Sequence, residues 1–231
     1  SSGASISSAA RDRLLKHRPD LYLRDTLGSS EASGYGMSTA EAGVFEPMPT
    51  TRILDDEMNP LEPGSKLIGM AYAGGYLPLG YYNAPGATAE TFVEIDGKRY
   101  VRTGDRCLLR ADGMIQLLGR DSTVINTGGE KVYTVEVERV LTDHPAIADA
   151  IVVGLPHPRF GSQVVAVVEG PDLDDDTLDV ADVQAFVAQH LADYKVPRLI
   201  YPIESLCRAP NGKPDYPYVR AHAQACFAAT H

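Results

Sequence analysis

Two Asp-Gly pairs, Asp96-Gly97 and Asp112-Gly113, lie between short apolar runs and constrain the fold more than any other local feature of the chain. An Asp-Gly pair in this setting favours a β-hairpin turn, because both residues tolerate the positive φ angles that such turns need. From Gly43 to Leu118, further short apolar stretches alternate with glycine and proline turns. This part of the chain is therefore predicted to form mostly antiparallel sheet or a small barrel.

The pattern changes after Gly119-Arg120, where helical and strand-like segments begin to mix. A short helix is predicted over 134–142, and apolar residues at helical spacing predict an amphipathic helix over 177–191. The β-branched runs 150–153 and 164–168 predict two strands that pair in a sheet. We therefore expect a domain boundary near residues 119–122.

Upstream of the hairpins the sequence predicts two shorter elements. A helix that carries Leu14 and Leu15 is expected to end before Pro19, which cannot continue it. Residues 21–27 are predicted to form a buried strand that enters the loop Gly28-Ser29-Ser30-Glu31.

Composition excludes several classes of protein. The 231 residues carry 31 Asp and Glu against 21 Lys and Arg, a net charge of −10, which argues against binding to nucleic acid. No run approaches 18 apolar residues, so no transmembrane segment is expected. Three scattered cysteines without a CxxC pair favour reduced thiols and a cytoplasmic protein. The sequence leaves the oligomeric state, including a homo-oligomer, open.

A few polar residues are candidates for chemistry, each with a plainer alternative. Asp105, after Thr103-Gly104, offers a carboxylate that can accept both hydroxyls of a ribose, or it caps a backbone amide in a turn. Gly128-Gly129 lets a ligand approach the backbone closely or supplies positive φ in a hairpin, which the residues alone favour. Arg120 can bind ribose or phosphate oxygens with its planar fork.

Two further candidates lie near turns. Lys213 follows Gly212, and a mobile ammonium there can neutralise charge that develops on a phosphorus, although a surface lysine is the commoner interpretation. Glu31 can hold a hard cation together with phosphate groups, and Ser30 can donate to a phosphate oxygen. The histidines form no HxxxH or HExxH pattern, and no GxSxG, GxGxxG or GxxxxGK[ST] motif is present.

The order of these motifs along the chain is more specific than any one of them. The motifs are Gly-Ser-Ser-Glu at 28–31, Leu-Gly-Tyr-Tyr at 79–82, Tyr-Val-Arg-Thr-Gly-Asp at 100–105, Asp-Gly-Met-Ile-Gln-Leu-Leu-Gly-Arg at 112–120, Asn-Thr-Gly-Gly-Glu-Lys-Val-Tyr at 126–133 and Pro-Asn-Gly-Lys at 210–213. In this order and spacing the chain resembles the acyl-CoA synthetase branch of the adenylate-forming ligases. The resemblance covers essentially the whole chain.

The resemblance implies an α+β fold in two parts. Residues 1–119 would be the C-terminal portion of the large AMP-binding domain, including its β-rich, distorted-barrel subdomain. Residues 120–231 would be a small α+β lid domain. The implied reaction has two steps: a carboxylic acid, here a fatty acid, is activated by Mg·ATP as an acyl-adenylate, and the acyl group then passes to coenzyme A.

The resemblance also assigns roles residue by residue. Lys213 would be the catalytic lysine of adenylation, Glu31 would hold Mg²⁺, and Ser122 would be the hinge of the lid. The nucleotide would be bound by Gly3, Ala4, Gly28, Ser29, Ser30, Asp105 and Arg120. Coenzyme A would be bound by Gly128, Gly129 and Glu130. The expected substrates are a small-molecule carboxylate, ATP and coenzyme A.

Departures from the family pattern qualify this reading. The family's phosphate loop and most of its acyl pocket lie upstream of every motif present, so residues 1–231 alone are expected to be inactive. Leu27 stands where many relatives carry an aromatic residue, and Ser122 replaces the commoner Asp or Lys. Two alternatives stay open: a ligase that loads a carrier protein, and a non-catalytic nucleotide-binding module, which would have no need of Lys213.

Overall fold

The structure is a computed structural model that describes residues 8–39, 41–171, 173–174 and 176–230. By their internal contacts these residues divide into two units, one of residues 22–122 and one of residues 8–21 and 123–230. The first unit is mostly sheet, and the second is mixed helix and sheet, so the predicted α+β class is confirmed. Among the described helices, none is both long and apolar enough to cross a membrane.

The first unit contains an antiparallel sheet of eight strands. Its elements are β1 (Thr26–Leu27), β2 (Gly36–Ser38), β3 (Val44–Pro47), β4 (Thr51–Leu54), β5 (Gly69–Ala73), β6 (Phe92–Ile95), β7 (Lys98–Leu109) and β8 (Ile115–Arg120), with one short helix over Pro85–Thr91. The strand order is β1-β2-β3-β8-β7-β5-β4, and β6 pairs with β7. Among the described strands, β1 and β4 lie at the two ends of this order and β6 pairs with β7 alone, so the sheet is open rather than a closed barrel.

Both predicted Asp-Gly hairpins are present. Asp96 and Gly97 have φ angles of 52° and 70° and form the two-residue turn between β6 and β7. Gly113, with φ of 80°, lies in a longer turn between β7 and β8. The Arg110 amide closes this turn by donating to the Met114 carbonyl at 2.9 Å. These turns place β7 at the centre of the sheet, where its side chains reach strands on both sides.

The strand predicted over 21–27 is wrong for most of its length. Only Thr26 and Leu27 form a strand, while Leu21 is 38% exposed and Tyr22 is 78% exposed. Apolar character alone suggested burial there, but no neighbouring strand pairs with residues 21–25 among the described residues. The short helix before them is confirmed at Ser8–His17.

The second unit is built around a sheet buried on both faces. Its strands are β9 (Ile125–Thr127), β10 (Glu130–Val132), β11 (Asp149–His157), β12 (Gly161–Glu169) and β13 (Leu199–Pro202). Its α-helices are α1 (Ser8–His17), α3 (Thr134–Thr142), α4 (Val180–Ala188) and α5 (Tyr216–Thr230). The helix Pro85–Thr91 of the first unit is α2. Strands β11 and β12 form a nine-residue antiparallel hairpin, and β13 pairs in parallel with β12.

Alternate residues of β11 and β12 pack against different helices. Even-numbered residues such as Val152 and Ala166 lie in a core with α3 and α4, whereas Ile151 and Val165 pack with α5. Burial of both faces explains why these strands read as continuous apolar runs rather than as alternating ones. Helix α3 matches its prediction, whereas α4 begins three residues later and ends three residues earlier than the predicted 177–191. The Asp179 side chain sets the start of α4 by accepting from the Asp182 amide.

Candidate functional site

A buried polar cluster centres on Asp105 in the first unit. Strands β7 and β8 place Asp105 directly opposite Arg120, and Arg120 Nε donates to Asp105 Oδ1 at 3.2 Å. The hydroxyl of Tyr35, a fully buried residue, donates to the other oxygen, Oδ2. Asp105 itself is only 4% exposed. The carboxylate is therefore held between a cation and a phenol before any ligand arrives.

The electrostatics of this cluster follow from its burial. Burial raises the pKa of Asp105, while the hydrogen bond from Tyr35 and the charge of Arg120 act in the opposite direction. Burial and the neighbouring carboxylate raise the pKa of Tyr35, so its phenol stays a donor. A carboxylate has about four acceptor positions, of which these two bonds use two. The remaining positions suit a pair of hydroxyl donors.

The backbone around Asp105 is part of a strand rather than of a capping turn. Gly104 has a φ of 78°, and Thr103 Oγ1 accepts from the Asp105 amide at 3.1 Å while donating to the Ala71 carbonyl at 2.8 Å. The bonds that the structure describes for the Asp105 carboxylate come from side chains. The alternative in which Asp105 caps a backbone amide is therefore not the one adopted.

The loop between β1 and β2 brings the predicted phosphate-side residues to the same unit. Ser29 closes a tight turn, since its amide donates to the Ala32 carbonyl at 2.9 Å and its Oγ accepts from the Ala32 amide at 3.2 Å. A Cβ at Gly28 would lie 3.2 Å from the Ser33 carbonyl oxygen, so the turn favours glycine there. Ser30 is exposed at the tip. The same loop leads to Tyr35, which connects it to Asp105.

Glu31 is held by a tyrosine from a distant loop. Tyr81 donates its hydroxyl to Glu31 Oε1 at 2.5 Å, and this bond lowers the pKa of Glu31, as does the charge of Arg120 to a smaller extent. Glu31 is thus an oriented anion near Arg120. Within the described parts of the chain, no cluster of three or more His, Cys, Asp or Glu side chains is arranged to hold a metal ion. A single carboxylate fits Mg²⁺ that is bound mainly through phosphate oxygens.

Ser122, the predicted hinge residue, is exposed and lies in a single 3₁₀ turn, Asp121–Thr123. The division between the two units falls directly after it. On its N-terminal side, Asp121 accepts from Arg106 Nε at 2.7 Å and pairs with Arg102 at 3.5 Å. Two arginines of the first unit therefore hold Asp121, the residue that precedes Ser122.

The predicted coenzyme A residues form a hairpin in the second unit. Gly128 and Gly129, with φ angles of 59° and 91°, make the two-residue turn between β9 and β10, and Glu130 is exposed beside it. The Gly128 amide donates to the Phe160 carbonyl at 3.0 Å, which ties the turn to the loop between β11 and β12. Positive φ alone accounts for both glycines, so the hairpin alternative from the sequence describes their conformation correctly.

Lys213 is exposed on a turn of the second unit, between β13 and α5. Three hydrogen bonds hold the backbone of this turn. The Gly212 amide donates to the Ala209 carbonyl at 2.7 Å, the Ala209 amide donates to the Lys213 carbonyl at 3.0 Å, and the Lys213 amide donates to Asn211 Oδ1 at 3.2 Å. The side chain extends from a closed turn rather than from a loose loop.

The structure therefore groups the predicted residues in two sets. Gly28, Ser29, Ser30, Glu31, Asp105 and Arg120 lie in the first unit, and Gly128, Gly129, Glu130 and Lys213 lie in the second. Gly3 and Ala4 lie outside the described residues. Sequence reasoning missed Tyr35 as a partner of Asp105 and gave Tyr81 no role beyond its motif. No local signal could identify Tyr35, because 70 residues separate it from Asp105.

Comparison with known proteins assigns this arrangement to a family. Residues 136–213 match the model of the AMP-binding enzyme C-terminal domain. The chain is 43% identical, over 95% of its length, to a 3-oxocholest-4-en-26-oate–CoA ligase of Rhodococcus rhodochrous. It is 41% identical, again over 95%, to a medium/long-chain-fatty-acid–CoA/3-oxocholest-4-en-26-oate–CoA ligase of Mycolicibacterium smegmatis. The chain spans 40% and 41% of the length of these relatives.

Solved structures give the same answer for the fold. The amide bond synthetase McbA from Marinactinospora thermotolerans superposes with a TM-score of 0.76 at 31% identity, covering 93% of this chain and 44% of that one. ATP-bound MatB from Rhodopseudomonas palustris superposes with a TM-score of 0.81 at 24% identity, covering 96% and 44%, and shows the fold alone. The matched domain, the relatives and the order of the motifs agree: residues 136–213 are an AMP-binding enzyme C-terminal domain, and over 95% of its length the chain is similar to CoA ligases.

Proposed function

We propose that the complete protein carrying this chain is an ATP-dependent acyl-CoA ligase, which activates a carboxylic acid as its acyl-adenylate and transfers the acyl group to coenzyme A. The observation that carries this proposal is the buried Asp105 carboxylate, preset by Tyr35 and Arg120 and with acceptor positions left over. A ribose presents two neighbouring hydroxyl donors that match those positions. Relatives named as CoA ligases support the same reaction.

In the first half-reaction a carboxylate oxygen attacks the α-phosphorus of ATP, the bond from that phosphorus to the bridging oxygen breaks, and pyrophosphate leaves with the electron pair. Asp105 accepts the ribose hydroxyls, Arg120 contacts ribose or phosphate oxygens, and the exposed Ser30 donates to the α-phosphate. Lys213 bridges the attacking carboxylate and the α-phosphate, where its charge stabilises the transition state. In this proposal Gly28 and Ser29 shape the loop beside the nucleotide, and Gly3 and Ala4 lie on its adenine side.

Glu31 is the residue that would hold Mg²⁺. Its carboxylate is already oriented by Tyr81, and Mg²⁺ prefers such hard oxygen ligands. When bound, the ion supplies positive charge that screens the phosphate oxygens from the incoming carboxylate.

In the second half-reaction the thiol sulfur of coenzyme A attacks the acyl carbon, and AMP leaves. We assign residues 1–119 to the C-terminal portion of the large AMP-binding domain and residues 120–231 to the lid, while by internal contacts residues 8–21 group with the second unit and residues 120–122 with the first. Rotation at Ser122 would replace Lys213 at the site by Gly128, Gly129 and Glu130, which bind coenzyme A. Few residues need to absorb such a motion. The contacts from Arg106 and Arg102 hold Asp121 in place, which supports Ser122, the next residue, as the one that absorbs the rotation.

The substrate class follows from the names of the relatives. They act on medium- and long-chain fatty acids and on a sterol side-chain acid, so we propose a fatty or sterol carboxylate for this protein. Cys107, Cys207 and Cys226 are not joined by disulfides within the described residues, which supports a location in the reducing cytoplasm.

The test is carboxylate-dependent exchange of pyrophosphate into ATP by the complete protein, over a panel of fatty and sterol acids. Lys213→Ala is expected to lower the exchange rate about 100-fold or more, because it removes a charge that acts on the transition state. Lys66→Ala, which removes an exposed lysine of the first unit, is the matched control and should leave the rate unchanged.

Four outcomes would contradict the proposal or part of it. Absence of exchange with every acid would favour the non-catalytic nucleotide-binding module. Normal exchange by Lys213→Ala would remove the lysine from the mechanism. Exchange by residues 1–231 alone would refute the expectation that this stretch is inactive without the upstream phosphate loop. Transfer to a carrier protein in preference to coenzyme A would select the other acceptor.

A further inference from the structure

The segment between β13 and α5, residues 203–215, carries Lys213 but contains no helix or strand. It is anchored first at Leu206, which is fully buried against the α5 face of the sheet. The Leu206 amide donates to Glu169 Oε2 at 2.9 Å. This anchor lies seven residues before Lys213, which is too far to set the orientation of the lysine by itself.

A second anchor lies closer to the lysine. Arg208 binds Asp149 through two bonds, from Nε to Oδ2 at 2.5 Å and from Nη2 to Oδ1 at 2.7 Å. Its Nη1 donates to the carbonyl of Gly212 at 3.3 Å, and Nη2 also reaches the carbonyl of Ala150 at 3.4 Å. One guanidinium therefore joins the start of β11 to the residue directly before Lys213.

The geometry of the guanidinium makes this anchor directional. Its donors are fixed in one plane, so two parallel bonds to Asp149 determine the direction in which the remaining N–H groups point. The Gly212 carbonyl lies in that direction, and it belongs to the peptide plane that leads into Lys213. The orientation of this plane determines where the Lys213 Cα and side chain begin.

Both anchors come from the same place in the sheet. Asp149, which binds Arg208, and Glu169, which binds the Leu206 amide, are directly opposed residues of the β11–β12 hairpin. Arg208 and Asp149 are both about one-quarter to one-third exposed, at 27% and 30% of their side-chain surfaces. Partial burial shields the pair from water and strengthens it relative to a fully exposed ion pair.

We propose that Arg208 is a positioning residue for Lys213: held by Asp149, it orients the Gly212 carbonyl and thereby the lysine that acts in adenylation. This inference rests on the proposed function, because it assigns the purpose of the anchor to the first half-reaction. A lysine at position 208 would keep the charge but would lose the planar fork.

The first experiment separates the two half-reactions in the complete protein. Arg208→Lys and Asp149→Asn are expected to lower kcat for pyrophosphate exchange about 10-fold to 100-fold, as a small displacement of a catalytic group does, with little change in KM for ATP. Transfer to coenzyme A from supplied acyl-adenylate should stay within about twofold, because Lys213 has no part in it. Arg220→Lys, at an exposed position of α5, is the control.

The second experiment measures the anchor without activity. Hydrogen–deuterium exchange of peptides covering 206–216 should be faster in Arg208→Lys than in the unchanged protein, while exchange of the α3 peptide should be unchanged. Equal losses in both half-reactions would overturn the proposal, since they indicate general destabilisation. Unchanged exchange at 206–216 would also overturn it, as would normal adenylation by Arg208→Lys where Lys213→Ala is inactive. If the unchanged protein exchanges no pyrophosphate, the proposed function fails, and the deuterium result alone decides whether Arg208 holds the turn.

Discussion

Asp105 and Lys213 are positioned in opposite ways. Asp105 is buried in the middle of a sheet, and its carboxylate is fixed through side chains, Tyr35 and Arg120. Lys213 is exposed at a turn, and the bonds described for it are made by its backbone. A group that binds substrate can be preset by direct contact, whereas a group that must reach a substrate is better controlled through the chain that carries it. This difference predicts different responses to mutation.

The largest expected difference is in stability. Asp105→Ala removes the acceptor of the buried Tyr35 hydroxyl and the partner of Arg120, and should lower the free energy of unfolding by about 3 kcal/mol. Lys213→Ala should change it by less than about 0.5 kcal/mol, because the side chain is exposed. Urea unfolding followed by circular dichroism measures both. If both variants lose the same free energy of unfolding, the contrast between the buried Asp105, fixed by side chains, and the exposed Lys213 is wrong.

The second unit also contains a carboxyl group whose protonation depends on its surroundings, that of Glu138. Burial raises the pKa of Glu138 on α3 to about 7, although its Oε1 accepts from the Val152 amide at 2.9 Å and Arg208 lies near enough to oppose the shift. The carboxyl therefore binds its proton more tightly in the folded state than in the unfolded state. Its contribution to stability is fully present below the unfolded pKa and is lost as the pH rises to about 7.

Glu138→Gln removes this titration while keeping an acceptor for the Val152 amide. We expect the variant to gain about 2 kcal/mol relative to the unchanged protein between pH 4.5 and pH 8. Unfolding in urea at both pH values checks the sign, and the pH dependence of other groups cancels in the difference. A gain of the same size at both pH values would show that ionisation of Glu138 is not the cause.

The smallest expected effect compares two similar hairpins. Gly97→Ala and Gly129→Ala each place a Cβ in open space at a positive φ, 70° and 91°, and each should cost about 1 kcal/mol of stability from backbone strain. Only Gly129→Ala is also expected to slow acyl transfer to coenzyme A. Thermal unfolding together with a thioester assay on supplied acyl-adenylate measures both effects. Equal slowing by Gly97→Ala would remove the distinction between a structural turn and a binding turn.

Local features of the fold could be predicted from the sequence. Helix 134–142 and the Asp96-Gly97 turn depend on spacing and on φ preferences that act within a few residues. The strand predicted over 21–27 failed because a few apolar residues favour burial but do not supply a pairing partner, and this segment also contains the charged residues Arg24 and Asp25. The start of α4 was missed because a single side chain, that of Asp179, determines it.

The candidate site was predictable only in its separate parts. The motif order identified Asp105, Arg120 and Lys213, but not what holds them. Tyr35 meets Asp105 across 70 residues, and Arg208 meets Asp149 across 59. Such contacts depend on sheet register, which a single sequence does not reveal. The partners of the functional residues therefore had to come from the structure.

The β11–β12 hairpin also has a consequence for the order of folding. Its two strands are separated by only residues 158–160, so they can pair after closing a very small loop. Strand β13 joins β12 in parallel and requires the ordering of residues 170–198 first, which is the slower kind of contact to form. Asp149 and Glu169 face each other at the open end of the early hairpin. Because Asp149 and Glu169 hold the segment carrying Lys213, we expect that segment to order after the hairpin and to be among the last parts of the unit to reach its native position.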